Sequence, residues 1–102
     1  MRQAMATAEV GDDVFDEDPT VRSLEERSAE LSGLDAGLFV ASGTQGNLCA
    51  LLTHCRPRQE VIAEHRCHVV TWEVGGWASL AGVTMATVDA PRGVLTPTLL
   101  ED

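Results

Sequence analysis

The stretch from Ser42 to Asn47 is the first part of this 102-residue sequence that could bind a ligand. Its sequence, S-G-T-Q-G-N, joins an apolar run to the start of a helical pattern. Free N–H groups and partial positive charge at a helix N-terminus favour anions, and Gly43 would let the backbone approach one closely. The stretch is neither a Walker loop nor a G-x-G-x-x-G motif. Local features leave two interpretations open, a phosphate cradle or a helix capped by Ser42 or Thr44.

The segment from His65 to Gly76 is a second candidate, because it follows a strand-like run and contains histidines and an acid before two glycines. In parallel sheets, ligands bind at the edge where the carboxyl ends of the strands meet. If the strands run in one direction, the Gly43 turn lies at that same edge. His68 could then offer a flat ring or exchange a proton near neutral pH. The alternative is a histidine at the surface or in the packing.

Two other groups of residues contain metal-ligand types, but their spacing does not favour a metal. His54, Cys55 and the histidines and cysteine of residues 65–68 lack C-x2-C and H-x3-H spacing. The acidic residues 11–18 lack the pattern of an EF-hand loop. We therefore predict no metal site and interpret the acidic stretch as a solvated loop that ends in a helix cap. Three cysteines, an odd number, indicate a reducing cytoplasm.

Helix signals predict the elements that would position these candidates. Asp18 as N-cap, Pro19 at the first helical position and Gly33 as the stop predict one helix. Its predicted apolar face consists of Val21, Leu24, Ser28 and Leu31. A second helix is predicted from about Thr44 to before Pro57, because Leu48, Leu51, Leu52 and Cys55 recur at helical spacing.

Apolar runs predict three strands at residues 38–41, 60–64 and 83–88, the first of them buried. A short helix is predicted near residues 2–7, and a further helix start at Pro97. Strands that alternate with helices predict an α/β fold with a mostly parallel sheet.

Composition and charge exclude several classes of function. The chain has 16 acidic and 7 basic residues, all seven of them arginine, and a net charge of −9. Phosphate contacts and anionic membranes need clustered basic residues, so we predict neither a nucleic-acid nor a membrane partner. No apolar run reaches the roughly 18 residues of a membrane span, and no secretory signal is recognisable.

Aromatic residues make up only 4% of the chain, which predicts a thin hydrophobic core. The length allows one domain at most.

Three motifs in this order resemble the low-specificity L-threonine aldolases. They are V-G-D-D-V-F-D-E-D-P-T-V-x-x-L-E, S-G-T-Q-G-N and H-x-x-x-x-E-x-G-G, and the resemblance runs from about residue 1 to about residue 89. Each motif alone is weak, whereas three in order at family-like spacing are specific. The resemblance implies a β-eliminating lyase of the pyridoxal-phosphate enzymes, with the aspartate-aminotransferase-like fold known as fold type I.

The resemblance also implies roles for particular residues. Gly43 and Thr44 match the phosphate-binding pair of the family, and Gln45 follows on the same turn. His68 matches the histidine that stacks on the pyridine ring and takes part in proton transfer. Glu73 matches a family position whose role the spacing does not reveal. Residues 11–20 match a loop near the active site and subunit interface, in which this chain has Phe15 where the family often has Tyr and Asp16 where it often has Gly.

The implied reaction is the retro-aldol cleavage of L-threonine or L-allo-threonine to glycine and acetaldehyde, with pyridoxal 5′-phosphate as cofactor, in a homo-oligomer. The family attaches its cofactor to a lysine, and this sequence contains none. We therefore expect residues 1–102 to be a fragment of the large cofactor-binding domain that is inactive alone. Two alternatives are a fragment of another fold-type-I lyase acting on a β-substituted amino acid, and a non-catalytic chain that binds only phosphate ligands or related subunits.

Overall fold

A computed structural model describes residues 1–101 of the chain. The chain divides into two compact units, residues 1–40 and the residues from Ala41 onward. The first unit contains helices α1 (Arg2–Thr7) and α2 (Pro19–Ser32). The second contains helix α3 (Gly43–His54), strand β1 (Glu60–Glu64), the one-turn helices α4 (His68–Thr71) and α5 (Gly76–Ser79), and strand β2 (Thr84–Val88). Short 3₁₀ segments span Asp13–Phe15, Pro91–Gly93 and Pro97–Leu100.

Helix α2 has the caps that its sequence predicts. The Asp18 carboxylate accepts hydrogen bonds from the backbone N–H groups of Thr20 and Val21, each at 2.9 Å, and also from that of Gly11 at 3.1 Å. At the other end, Gly33 adopts a φ of 67°, the left-handed conformation that glycine allows without strain. Asp18 therefore closes the acidic loop and begins the helix with one side chain.

The predicted strand at residues 38–41 is not a strand in the structure. The backbone N–H of Phe39 donates to the Glu25 carboxylate of α2 at 2.6 Å, so that it is not available to a neighbouring strand. Leu38 and Phe39 are 74% and 51% exposed rather than buried. A strand needs a hydrogen-bonded partner, and among residues 1–101 none pairs with this segment.

The predicted apolar face of α2 is only partly correct. Val21 is half-buried, but Leu24 and Leu31 are 50% and 71% exposed, and the buried residue is Ala29. The chain after α2 explains the difference, because the N–H of Leu34 bonds to the carbonyl of Ala29 at 3.0 Å. The chain therefore turns back at Ala29 when it leaves α2, while Leu24 and Leu31 remain largely exposed.

The second unit is built on a parallel pair of strands, as the sequence predicts. Strands β1 and β2 run in register from the pair Glu60–Thr84 to the pair Glu64–Val88. Helix α3 precedes β1, and α4 and α5 lie in the crossover between the strands. A parallel pair requires such a crossover, which explains why helices separate the two strands in the sequence. The α/β class with a parallel sheet is confirmed.

The core of the chain is thin. Its buried apolar residues are small ones, Ala29, Ala63, Ala81, Val83 and Ala90, and no large side chain in the described residues is fully buried. Many large apolar side chains are exposed instead, including Phe15, Leu52 and Trp72. Within residues 1–101, no helix has the length and apolar character needed to cross a bilayer.

Asp18 makes the stability of the first unit dependent on pH. Hydrogen bonds from the N–H groups of Val21 and Gly11 hold the pKa of the Asp18 carboxyl below its usual value, and the N–H of Thr20 lowers it further. Desolvation acts in the opposite direction and raises it. Since the folded pKa is lowered, the stabilisation is complete above the usual pKa of about 3.9 and is lost as pH falls through the folded pKa.

We expect Asp18→Asn, which keeps a capping oxygen but removes the charge, to destabilise the protein at pH 6 less than Asp18→Ala does. The gap in unfolding free energy between wild type and Asp18→Asn should narrow below about pH 3.9. Urea denaturation followed by circular dichroism at several pH values measures both effects. An unchanged gap down to pH 2 would show that the Asp18 charge is not what the cap uses.

Candidate functional site

The N-terminus of α3 follows the predicted turn. Ser42 is the N-cap, and its hydroxyl accepts from the N–H of Gln45 at 3.1 Å. The Gln45 side chain reaches back, and its Oε1 accepts from the N–H of Ala41 at 2.9 Å. Among residues 1–101, no acceptor bonds to the N–H groups of Gly43 and Thr44. The capping interpretation is therefore confirmed for Ser42, and the two N–H groups that a phosphate would need stay free.

Gly43 leaves open space at this turn. A Cβ atom built at Gly43 meets no atom of the described residues within 4 Å. Gly43 and Thr44 are both exposed. A helix of 12 residues concentrates partial positive charge at such a terminus, so a phosphate would meet N–H donors without steric hindrance.

Glu73 connects this helix terminus to His68. One oxygen of its carboxylate, Oε1, accepts from the amide Nδ2 of Asn47 at 2.6 Å and lies 2.8 Å from the ring Nδ1 of His68. Asn47 is the fifth residue of α3, one turn from Gly43, and His68 is the first residue of α4. The structure thus brings the predicted His68 to the first turns of the predicted phosphate-binding helix.

The carboxylate of Glu73 is buried, whereas the ring that it holds is not. The side chain of Glu73 is 4% exposed and that of His68 is 62% exposed. The pKa of the Glu73 carboxyl lies below its usual value. The hydrogen bonds from Asn47 and then from His68 lower it most, and the charge of His68 also lowers it, whereas desolvation raises it. Glu73 is therefore ionised at neutral pH, with its charge compensated by two donors.

A strained turn follows Glu73. Val74 has a φ of 53° and Gly75 a φ of 70°, and the N–H of Gly76 bonds to the carbonyl of Glu73 at 3.0 Å. A positive φ is unfavourable for a β-branched residue, and such strain persists only where other contacts fix the backbone. The side chain of Val74 is 97% exposed, so its packing does not impose the strain.

The other two histidines do not take part in this hydrogen-bonded arrangement. His54 is the last residue of α3. His65 lies beside Glu64, at 3.1 Å, and Asp89, at 3.7 Å, where β1 and β2 end. Burial raises the pKa of the Glu64 carboxyl, but hydrogen bonds and charge from Arg66 and the charge of His65 outweigh that effect and lower it.

This second cluster contains possible metal ligands. Glu64, His65 and Asp89 each offer a ligand atom within 4.8 Å of the others. The Glu64 carboxylate already accepts from both the backbone N–H and the Nε of Arg66, at 2.8 and 3.2 Å. An arginine in that place supplies the positive charge that a cation would provide.

Sequence reasoning missed Asn47 as a member of the site and gave Glu73 no role. The two residues are 26 positions apart, and their hydrogen bond joins different elements. A local pattern cannot reveal such a contact. The acid that follows His68 by five residues was the available signal, because an acid near a histidine often orients its ring.

Val74 offers a test of the strained turn. We expect Val74→Asn to stabilise the protein by about 1 kcal/mol, because asparagine adopts positive φ more readily and an exposed valine loses little packing. Val10 is also exposed but lies in a segment without positive φ, so Val10→Asn is the matched control. It should change the free energy of unfolding by less than about 0.5 kcal/mol. Denaturant midpoints measure both. Equal effects would contradict strain at Val74.

Comparison with known proteins identifies the family of this chain. The family model described as beta-eliminating lyase matches residues 1–102. The chain is 49% identical over 89 residues to low-specificity L-threonine aldolase 1 of Arabidopsis thaliana, across 86% of this chain and 25% of that protein. It is 46% identical over 90 residues to the low specificity L-threonine aldolase of Escherichia coli K12, across 88% of this chain and 27% of that protein.

A fungal relative, aldolase vrtJ of Penicillium aethiopicum, is 44% identical over 94 residues, across 91% of this chain and 24% of that protein. The chain therefore spans about a quarter of the length of these relatives. Because the family model matches from the first residue to the last, the chain belongs to the β-eliminating lyase family.

Proposed function

We propose that this chain contributes to a pyridoxal-phosphate-dependent aldolase that cleaves L-threonine and L-allo-threonine to glycine and acetaldehyde. The observation that carries the proposal is the shared oxygen of Glu73, which connects His68 to the helix that begins at Gly43. Relatives at 46% and 49% identity bear the name of this activity. We infer that residues 1–102 form part of the large cofactor-binding domain of the aspartate-aminotransferase-like fold.

The residues at the start of α3 fit the phosphate of the cofactor. Two free N–H groups, at Gly43 and Thr44, and the absence of a Cβ at Gly43 support this fit. The Thr44 hydroxyl lies on the same exposed turn and can add a hydrogen bond. Gln45 uses its N–H and its side-chain oxygen in the helix cap, which leaves its side-chain NH₂ as the group that can contact a phosphate.

The chemistry divides between the cofactor and these residues. When bound, pyridoxal phosphate supplies a ring that accepts electrons as the Cα–Cβ bond of the amino acid breaks. The start of α3 would hold the phosphate and set its distance from His68. The exposed imidazole of His68 would lie against the flat ring and could hold or move a proton there.

This chain cannot supply the whole site, because it contains no lysine. Arginine does not replace lysine as a nucleophile, since its guanidinium stays protonated. The lysine that carries the cofactor must therefore come from outside these 102 residues.

The missing lysine also favours a second candidate, a chain that binds phosphate ligands or related subunits without catalysis. A lyase that acts on another β-substituted amino acid would use the same described residues.

We further propose a cytoplasmic, homo-oligomeric enzyme with an amino-acid substrate. Three free cysteines, none of them paired within the described residues, support a reducing compartment. Exposed large side chains such as Phe15, Leu52 and Trp72 support association with further protein surface.

Phosphate binding tests the start of α3. We expect Gly43→Val and Thr44→Val each to weaken the binding of inorganic phosphate and of pyridoxal phosphate about tenfold, since each removes space or one hydrogen bond worth roughly 1.4 kcal/mol. Thr53→Val, near the other end of α3, is the matched control and should leave both affinities unchanged. Isothermal titration measures them. If all three variants bind phosphate as tightly as the wild type does, the phosphate does not bind at the start of α3.

Activity tests the proposed reaction. A chimera that carries this chain in place of the segment that it matches in the E. coli aldolase should release acetaldehyde from L-threonine. We expect His68→Ala to lower kcat at least about a hundredfold in the chimera, as loss of a proton-transfer group does. His54→Ala is the matched control and should retain activity.

The 102-residue chain alone should show no turnover with cofactor and L-threonine, because it has no lysine. Turnover by the isolated chain at the rate of a whole aldolase would contradict the proposal. A folded chimera whose activity is indifferent to His68→Ala would refute the role of that residue.

A further inference from the structure

We propose that Glu73 is a positioning residue that fixes His68 as the tautomer with its hydrogen on Nδ1, and that Asn47 holds Glu73 in place for this task. The inference deepens the proposed function and rests on it, because His68 receives its part in the reaction there. It assigns roles to two residues, a buried acid and an amide on a different helix.

The tautomer follows from the chemistry of the three groups. An ionised carboxylate only accepts hydrogen bonds, so both nitrogen atoms that face Glu73 Oε1 must donate. Asn47 donates through Nδ2 at 2.6 Å, and the ring nitrogen at 2.8 Å is Nδ1 of His68. A neutral imidazole that carries its hydrogen on Nδ1 has its lone pair on Nε2. The ring therefore presents a proton acceptor on the side away from Glu73.

Burial distinguishes this contact from an ordinary surface ion pair. Exposed pairs have little energetic effect, because water screens them and both side chains lose freedom. The Glu73 side chain is 4% exposed, so leaving it without donors would be costly. The next residue, Val74, has a strained φ, and the hydrogen bonds of Glu73 are contacts that can hold the backbone in that conformation.

Glu73 is poorly suited to carry out proton transfer itself. Its hydrogen bonds favour the ionised form, and its side chain is almost completely buried. His68 has the opposite character, since its ring is 62% exposed and its Nε2 is free of the carboxylate. A buried carboxylate beneath an exposed histidine fixes the tautomer and orientation of the ring, as in other histidine-dependent sites.

Asn47 adds a positional constraint. Through Glu73 it links the His68 ring to α3 itself, one turn beyond Gly43. The distance between the helix terminus and the ring is thereby set by two short hydrogen bonds and one turn of helix. A ligand that uses both the terminus and the ring would meet them at a fixed separation, which favours its correct orientation.

Nitrogen-15 NMR of the imidazole rings in the full 102-residue chain, without cofactor, tests the tautomer directly. We expect neutral His68 to carry its hydrogen on Nδ1 in the wild type and to lose that preference in Glu73→Leu. Glu73→Gln, which keeps an acceptor oxygen, should retain part of the preference for the Nδ1 tautomer, and Asn47→Ala should weaken that preference. Glu60→Gln, at an exposed acid, is the matched control, and the His54 ring is the internal reference.

Two results would overturn the inference, and neither depends on a variant that fails to fold. One is a wild-type His68 with its hydrogen on Nε2. The other is a Glu73→Leu chain that keeps the amide spectrum of the wild type and the Nδ1 tautomer. Because no cofactor is present, the outcome is independent of whether the chain takes part in an aldolase.

Kinetics of the chimera then tests the effect on the reaction. Glu73→Leu should lower kcat at least about tenfold, since partners that orient a functional histidine have effects of about that size or larger, with KM changed much less. Glu73→Gln should recover part of the loss. A KM effect alone would show that Glu73 does not position His68 for the reaction. An inactive chimera whose His68 ring still has the Nδ1 tautomer would instead count against the proposed function.

Discussion

A carboxylate removed from water must be given hydrogen-bond donors, and the second unit of this chain is organised around that requirement at Glu73. Its donors come from α3 and α4, two elements that are separated in sequence by β1. The small buried side chains, such as Ala81 and Val83, leave little apolar packing to define how these elements meet. In so thin a core, a buried polar contact with two donors can define the geometry that larger proteins obtain from side-chain packing.

The parts of the fold that depend on local chemistry could be predicted from the sequence. Asp18, Pro19 and Gly33 define the ends of α2 through capping, and Ser42 begins α3 in the same way. The parallel strands were predicted at nearly their observed bounds, because apolar runs between turn residues are typical of strands. These signals act within a few residues, so a sequence without structural information contains them.

Features that depend on distant contacts could not be predicted in this way. Residues 38–41 have the composition of a buried strand, but a strand forms only beside a partner, and Glu25 takes the N–H of Phe39 instead. The site shows the same limit. Gly43, Thr44 and His68 were found by motif, whereas the partnership of Asn47 with Glu73 joins residues from different elements. Family resemblance identified Glu73 as a position of interest, and only its contacts suggest a role for it.

The in-phase register of β1 and β2 has a consequence for how the gene can tolerate insertions and deletions. Glu64 pairs with Val88, so His65 and Asp89 leave the two strands at the same level. Loss of one codon within β2 would move every later side chain to the opposite face of the sheet and separate Asp89 from His65. Length changes in the exposed segment after Pro91 would leave this pairing intact. Natural variation in chain length should therefore concentrate outside the strands.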